Sequence, residues 1–146
     1  MKDSDISMTT RVQDSFSKQT AMHLIRAQLI SVRHGETEIQ IPHWEGIEQQ
    51  HGFVHGGVVG MIADTAAGYA AMTLVDSEST VLTVEYKLNL MAPASGEKLI
   101  ARGTVVRAGR RLIVTKAEVF AVQDGKEGLC ALMQQTIMVV QDKAEK

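Results

Sequence analysis

The second half of the chain alternates between hydrophobic and polar residues, which is the pattern of β-strands that bury one face. From 82 to 90 every even position is apolar and every odd position is polar. Three further strands are predicted over 98–107, 112–122 and 129–140. The Asp124-Gly125 pair between the last two is typical of a hairpin turn. Because the connections are short, we predict that the four strands form an antiparallel meander.

The first half of the chain combines a short helix with a hairpin. Residues 1–13 are mostly polar, so we expect a flexible leader there. Either of the two polar residues that follow can cap a helix over about 16–27. The segments 29–33 and 37–41 have β-like patterns and flank a turn around Gly35, which predicts two paired strands.

A long helix is predicted from His55 to Leu74. Its twenty residues include four glycines, although each interior glycine costs roughly 1 kcal/mol relative to alanine. At about 100° per residue, a stripe of small residues is predicted along one side, formed by Gly57, Gly60, Asp64, Gly68 and Ala71. A bulkier neighbouring side is expected to face the sheet, formed by Val58, Met61, Ile62, Thr65, Tyr69 and Met72.

Two features of this helix predict chemistry in addition to packing. Its only carboxylate, Asp64, lies among residues so small that a ligand or another backbone can approach it closely. Gly56 and Gly57 leave the first-turn amides unshielded, and such amides have no partner within a helix. Together with the helix dipole, they can stabilise a developing oxyanion. The alternatives are an Asp64 that faces solvent and a His55 that only caps the helix.

The order of the elements predicts one α+β domain over residues 14–141, with the long helix on one face of an antiparallel sheet and a charged tail over 142–146. The 146 residues are 45% hydrophobic, which is enough to bury a core without disulfides or metals. The single cysteine, Cys130, lies in an apolar run, which favours burial over catalysis.

The charge and hydropathy of the chain argue against several classes of binding partner. The net charge is −2 and no block of like charges occurs, which predicts no nucleic-acid surface. The first residues contain no apolar secretory segment. No apolar run approaches the roughly 20 residues of a membrane span, so we expect a cytoplasmic protein without membrane contacts. His23, His34 and His43 have no partner at metal-ligand spacing, and we expect no metal. His51 and His55 are four residues apart, but the glycine between them and the predicted loop exclude a helical two-histidine site.

The residues around the start of the long helix form a motif. Gln49 lies six residues before His55, Gly52 lies three before it, Gly56-Gly57 follow it directly, and Asp64 lies nine after it. In this spacing the chain resembles hotdog-fold thioesterases of the phenylacetate-degradation (PaaI-like) type, within the 4-hydroxybenzoyl-CoA thioesterase superfamily. The resemblance implies a hotdog fold, in which a curved antiparallel sheet of about six strands wraps around a long central helix.

The resemblance also implies how the thioester would be held. The amide of Gly56 would bind the thioester carbonyl oxygen, and His55 would shape the site. Gln49 would orient the thioester or the attacking water, although the adjacent Gln50 could serve instead.

The same resemblance gives Asp64 the reactive role, as nucleophile or general base, reaching the substrate from the neighbouring subunit. Thr83 lies where some relatives carry a Ser or Thr that positions water. Gly68 occupies a position at which other relatives supply a hydroxyl, so water positioning falls to Thr83 or Thr65.

The remaining implied contacts are to coenzyme A. Gly57 would lie at the binding site, and three arginines would lie near the phosphates, namely Arg107, Arg110 and Arg111. CoA is part of the substrate, so no separate cofactor is expected. The implied assembly is a homo-oligomer, either a dimer or a dimer of dimers, with active sites shared between subunits.

The expected function is therefore hydrolysis of an acyl-CoA to a free acid and CoA. Two alternatives stay open: a hotdog dehydratase or hydratase that acts on acyl-CoA, and an acyl-CoA-binding protein without catalysis. The sequence does not identify the acyl group, and aryl and medium-chain aliphatic groups both fit.

Overall fold

The computed structural model describes residues 3 to 141, so the tail predicted for 142–146 lies outside the described residues. The helices are α1 (Asp3–Ser17), α2 (Thr20–Leu24) and α3 (Gly56–Met72), with a short 3-10 turn at Glu45–Ile47. The strands are β1 (Gln28–Arg33), β2 (Glu36–Pro42), β3 (Ser79–Leu90), β4 (Lys98–Ala108), β5 (Leu112–Gln123) and β6 (Lys126–Gln141). Between residues 3 and 141, no helix has the length and apolar character needed to cross a membrane.

The strands form one six-stranded antiparallel sheet in the order β1-β2-β4-β5-β6-β3, which confirms the predicted α+β class. The predicted meander is correct for β4, β5 and β6 but wrong for β3, which pairs with β6 instead of β4. The connection over 91–97 is long enough to permit this arrangement. Seven extended residues reach about 23 Å, whereas three strand spacings are only about 14 Å. The strand β3 therefore forms one edge of the sheet.

A bulge in β3 changes which residues face α3. The pairing register with β6 shifts between Thr83 and Glu85, so Val84 is an extra residue on β3. Because one extra residue reverses the alternation, Thr83 points to the same side as Tyr86. Both side chains lie against α3. The strict alternation predicted from 82 to 90 put them on opposite faces, and it is wrong at the bulge.

The helix α3 lies very close to the sheet because small residues line the contact. Its fully buried side chains are mostly alanines, namely Ala63, Ala66, Ala67, Ala70 and Ala71, together with Ile62. On β4, a Cβ added to Gly103 would lie 2.5 Å from the carbonyl oxygen of Ala66. The predicted bulky face is wrong in part, since Val58, Met61, Thr65 and Met72 are only half-buried. Alanines permit a closer approach than those larger side chains would.

The first helix differs most from the prediction. Residues 3 to 17 form α1, so the flexible leader predicted over 1–13 is wrong for the residues described. Val12 and Phe16 are four residues apart and both buried, which fixes one side of α1 to the core. The Arg11 guanidinium donates a 3.2 Å hydrogen bond to the carbonyl of Val75, beyond the end of α3. Because the residues around Val12 and Phe16 are mostly polar, the sequence gives no clear signal for this buried side of α1.

The single helix predicted over 16–27 is divided in two. Gln19 has extended backbone angles, φ −80° and ψ 98°, and separates α1 from α2. Arg26 then adopts the left-handed conformation, with φ 61°. The amide of Ala27 donates to the carbonyl of Met22 at 2.8 Å, which closes α2 and turns the chain into β1.

Candidate active site

The N-terminus of α3 is capped by the histidine of the motif. His55 is the N-cap residue, and its Nδ1 accepts a 2.8 Å hydrogen bond from the amide of Gly57. A Cβ on Gly57 would lie 3.0 Å from that nitrogen, so the ring packs directly over the glycine. The Gly57 amide is thus occupied, which corrects the expectation that both first-turn amides are open. Within residues 3–141 the Gly56 amide has no acceptor.

A tight turn places Gln49 just before this helix. The Gln49 amide donates to the carbonyl of Phe53 at 2.8 Å, and Gly52 lies between them with φ 80°, which favours glycine. The side-chain oxygen of Gln49 accepts a hydrogen bond from the His51 amide. This bond leaves the Nε2 group of Gln49 as the end that can donate to a ligand. Gln50 is exposed, whereas Gln49 is half-buried.

The carboxylate of Asp64 is held from one side only. Thr83 Oγ1 donates a 2.7 Å hydrogen bond to its Oδ1, and Gln135 Nε2 donates to the same oxygen. Among the described residues, no group donates a hydrogen bond to Oδ2. Thr65 does not take part, because its hydroxyl donates to the Met61 carbonyl within the helix at 2.8 Å. Of the two threonines considered from the sequence, Thr83 is therefore the one beside the carboxylate.

The contact with Gln135 was not predicted from the sequence. Gln135 is 1% exposed and lies on β6, and its Oε1 accepts a 2.9 Å hydrogen bond from the fully buried Thr115 on β5. A signal was present in the alternation of β6, because Gln135 shares its period-two side with Met133 and Ile137. A glutamine among residues that bury their side chains marks a polar group with a fixed partner.

The two parts of the predicted site are separated within one chain. Gly56 and Asp64 are eight residues apart on α3, which corresponds to about 12 Å along the helix axis. A reacting carbonyl must lie about 3 Å from both its oxyanion donor and its nucleophile. One chain therefore does not bring the Gly56 amide and the Asp64 carboxylate to the same carbonyl group.

A cavity of about 200 Å³ opens beside Asp64 and Thr83, between α3 and the end of α1. Ser15 lines it from α1 and Gln19 from the junction between α1 and α2, together with Tyr69 from α3. The Tyr69 hydroxyl accepts a 2.7 Å hydrogen bond from Gln19 Nε2, so two of the polar side chains that line the cavity are hydrogen-bonded to each other. The N-terminal helix thus forms part of the surroundings of the carboxylate.

The arginines lie at the opposite end of α3 from His55. Arg110 and Arg111 line a second cavity of about 960 Å³, together with Asp76 and Ser79. Arg107 is exposed on β4, one residue past a shift in the register of β4 with β5. In the described part of the chain, the three guanidinium groups form no ion pair. The structure therefore brings Arg110 and Arg111 together but does not bring them to Gly56 in the same chain.

Three of the described groups have clearly shifted pKa values, namely Cys130, Glu127 and Arg102, and all three lie outside this site. Cys130 is 2% exposed, as predicted, and its burial raises the pKa of the thiol. The Arg102 guanidinium donates to both oxygens of Glu127 at 2.7 Å, and this pair lowers the pKa of the Glu127 carboxyl. Arg102 also donates to Glu38 at 2.9 Å. These contacts join β2, β4 and β6 across the sheet.

Comparison with known proteins gives consistent results for fold and family. Residues 51–127 match the family model described as the thioesterase superfamily. A crystal structure of a thioesterase family protein from Silicibacter pomeroyi is 40% identical, covers 92% of this chain and 98% of its own, and superposes with a TM-score of 0.90.

More distant relatives extend the comparison. The 1,4-dihydroxy-2-naphthoyl-CoA hydrolase of Listeria monocytogenes is 25% identical over 79% of this chain and 91% of its own. The PaaI protein of the E. coli phenylacetic acid degradation operon is 17% identical. It covers 93% of this chain and 95% of its own with a TM-score of 0.83, which is a likeness of fold.

Proposed function

This chain belongs to the thioesterase superfamily, and we propose that it hydrolyses acyl-CoA thioesters to a free carboxylic acid and coenzyme A. The observation that carries the proposal is the carboxylate of Asp64, which is fixed through Oδ1 by Thr83 and Gln135 and has Oδ2 without a partner among residues 3–141. A carboxylate held in this way keeps its second oxygen, Oδ2, free to react with a substrate or to accept a proton from water.

The chemistry requires an attacking group and a donor for the oxyanion. In one route Oδ2 of Asp64 bonds to the thioester carbon, the carbonyl electrons move to oxygen, and collapse of this intermediate expels CoA thiolate. Water then cleaves the mixed anhydride and restores the carboxylate. In the other route Asp64 takes a proton from water, which attacks directly. In both, the Gly56 amide donates to the oxyanion at the positive end of α3.

A second copy of the chain supplies the missing half of each site. The edge strand β3 exposes Leu82 and Val84, which are 58% and 57% accessible. Two such edges paired about a two-fold axis run antiparallel, and so do the two α3 helices. A two-fold axis that passes beside Gly60, midway between residues 56 and 64, would bring the Gly56 amide of one copy to Asp64 of the other. We therefore propose a homodimer or a dimer of dimers with shared sites.

The same arrangement supports the proposed contacts to CoA. With α3 helices antiparallel and Gly56 of one copy opposite Asp64 of the other, the end of each copy that carries Arg110 and Arg111 extends past the Gly56 end of its partner. The phosphates of CoA would bind these guanidinium groups through charge-assisted hydrogen bonds. Gln49 would donate from Nε2 to the thioester group. The proposed setting is the cytoplasm, and no cofactor other than the substrate's own CoA is required.

The test is release of free thiol from a panel of aryl and aliphatic acyl-CoAs, measured with a chromogenic disulfide. We expect turnover on at least one substrate. Asp64→Asn is expected to lower kcat by about a thousandfold or more and to leave the oligomer intact in light scattering. The matched control is Asp124→Asn, the same change in the distant β5–β6 turn, which should keep wild-type turnover.

The alternative functions give different results in the same experiment. Tight acyl-CoA binding with a raised melting temperature but no thiol release from any substrate would identify a binding protein. Addition or loss of water in the acyl chain, with the thioester retained, would identify a hydratase or dehydratase. Near-wild-type turnover by an intact Asp64→Asn oligomer would contradict the role of Asp64.

A further inference from the structure

A polar row crosses the apolar inner face of the sheet beneath Asp64. Thr115 on β5 and Gln135 on β6 are directly paired in the register, and both are 1% exposed or less. Their neighbours on the same face of these strands are apolar and buried, namely Ile113, Ala117, Met133 and Ile137. Polar side chains at such positions are unfavourable unless every donor and acceptor is matched. Here the row ends on the carboxylate of Asp64.

The orientation of the Gln135 amide follows from its partners. An ionised carboxylate only accepts hydrogen bonds, so the amide nitrogen of Gln135 must face Asp64 and its oxygen must face Thr115. Thr115 Oγ1 then donates to Gln135 Oε1 at 2.9 Å. The nitrogen also lies 3.2 Å from Thr83 Oγ1 and 3.4 Å from the backbone carbonyl of Asp64. Each end of the amide therefore has a defined partner.

We propose that Gln135 is a positioning residue for Asp64 and that Thr115 fixes the Gln135 amide in turn. Gln135 and Thr83 both donate to Oδ1, which fixes the side-chain rotamer and makes Oδ2 the oxygen that reacts. This inference deepens the proposed hydrolase function and rests on it. Neither Gln135 nor Thr115 touches the substrate, because both side chains are sealed beneath α3.

The first test separates positioning from packing through steady-state kinetics. Gln135→Met keeps the length of the side chain and removes the donor, and Thr115→Val removes the hydroxyl that orients the amide. We expect Gln135→Met to lower kcat by about 10- to 100-fold and Thr115→Val by about 3- to 10-fold, with KM within about 3-fold of wild type. Thr115→Ser, which retains the hydroxyl, should restore wild-type kcat.

The matched control is Ile137→Val, on the same strand and the same inner face. It removes one buried methylene and no polar contact, so it should lower the melting temperature while kcat stays within about 2-fold of wild type. If Gln135→Met loses stability but keeps wild-type kcat, the positioning role is wrong. If Thr115→Ser is as slow as Thr115→Val, the role of the Thr115 hydroxyl is wrong.

A second test does not depend on turnover. In the assigned NMR spectrum, the side-chain amide protons of Gln135 should be shifted downfield and protected from exchange. Asp64→Asn should move them, and it should move them more than Asp124→Asn does. An unshifted Gln135 amide overturns the inference even if the hydrolase is active. A shifted amide in a protein that hydrolyses no acyl-CoA would overturn the proposed function and leave the Gln135–Asp64 contact established.

Discussion

Replacement of Gly103 by alanine should lift α3 from the sheet. Gly103 lies on β4 directly beneath the backbone of Ala66 and Ala67. An added Cβ would be 2.4 Å from the carbonyl carbon of Ala66 and from the amide nitrogen of Ala67, whereas ordinary van der Waals contact begins at 3.4 Å. The helix must therefore move by about 1.0 Å, which is the difference between these distances. The same carbonyl accepts a buried hydrogen bond from Thr37, which the movement would stretch.

The size of the effect follows from what obstructs the new methyl group. Overpacking a core costs about 1–3 kcal/mol, and the upper value applies here because helix backbone cannot rotate away as a side chain can. With a urea slope of about 2 kcal/mol per M, a loss of about 3 kcal/mol lowers the unfolding midpoint by about 1.5 M. Asp64 lies two residues before Ala66 and would move with the helix. We therefore expect kcat to fall by about 10-fold or more.

The assay is urea unfolding followed by circular dichroism, at equal protein concentrations because the stability of an oligomer depends on concentration. The control is Gly128→Ala, where the nearest atom to an added Cβ is the Ala121 carbonyl oxygen at 3.9 Å. Its stability should stay within about 0.5 kcal/mol of wild type. If Gly103→Ala unfolds at the wild-type urea concentration, the reasoning about a backbone-to-backbone contact is refuted.

Three further predictions concern other parts of the molecule. Gly68→Ala should stabilise the fold by up to about 1 kcal/mol in urea unfolding, because Gly68 is within α3 and an added Cβ meets nothing within 4 Å. Glu127→Gln should lower the stability at pH 7 by less than about 1 kcal/mol, since the pair with Arg102 is half-exposed. Because Arg102 lowers the pKa of Glu127, this contribution is present above the ordinary value of 4.5 and is lost as the pH falls through the lowered value. Cys130 should resist a chromogenic disulfide at pH 8 in the native protein and react fully in about 8 M urea, because burial excludes the reagent and raises the pKa of the thiol.

Each of these has an outcome that would count against it. A lower midpoint for Gly68→Ala would contradict the open space beside Gly68. The Glu127→Gln and wild-type stability curves should converge as the pH falls through the lowered pKa of Glu127, and a difference that stays constant until this carboxyl is protonated would exclude the ion pair as the cause. Native-state labelling of Cys130 at the rate of the unfolded chain would contradict its burial.

Local features of the site could be predicted from the sequence because they depend on residues close together in the chain. His55 caps α3, which is one of the alternatives for this residue, and Asp64 lies on the same helix, so both belong to one continuous segment. Turn chemistry and helix periodicity act over a few residues, so they are visible without a fold. The bounds of α3 agree with the predicted helix to within two residues at its C-terminus.

Features that depend on long-range pairing could not be predicted in the same way. The position of β3 beside β6 arises from residues 41 to 62 positions apart, and Gln135 approaches Asp64 from 71 positions away. The approach of α3 to Gly103 depends on packing between a helix and a strand that are not adjacent in sequence. The buried side of α1 involves only two residues, Val12 and Phe16, which is too few for a clear periodic signal.

The bulge at Val84 has a consequence for how relatives of this protein are aligned. A gap placed one residue away in β3 assigns Leu82 or Val84 to the position beside Asp64, although Thr83 occupies it here. Such an alignment puts an aliphatic side chain in place of the Thr83 hydroxyl, so a relative with a complete site would be interpreted as lacking this group. Conversely, a relative that truly lacks the extra residue presents the opposite face of the strand to its carboxylate. One-residue insertions and deletions in this strand should therefore be treated as changes of active-site composition, not as neutral changes of length.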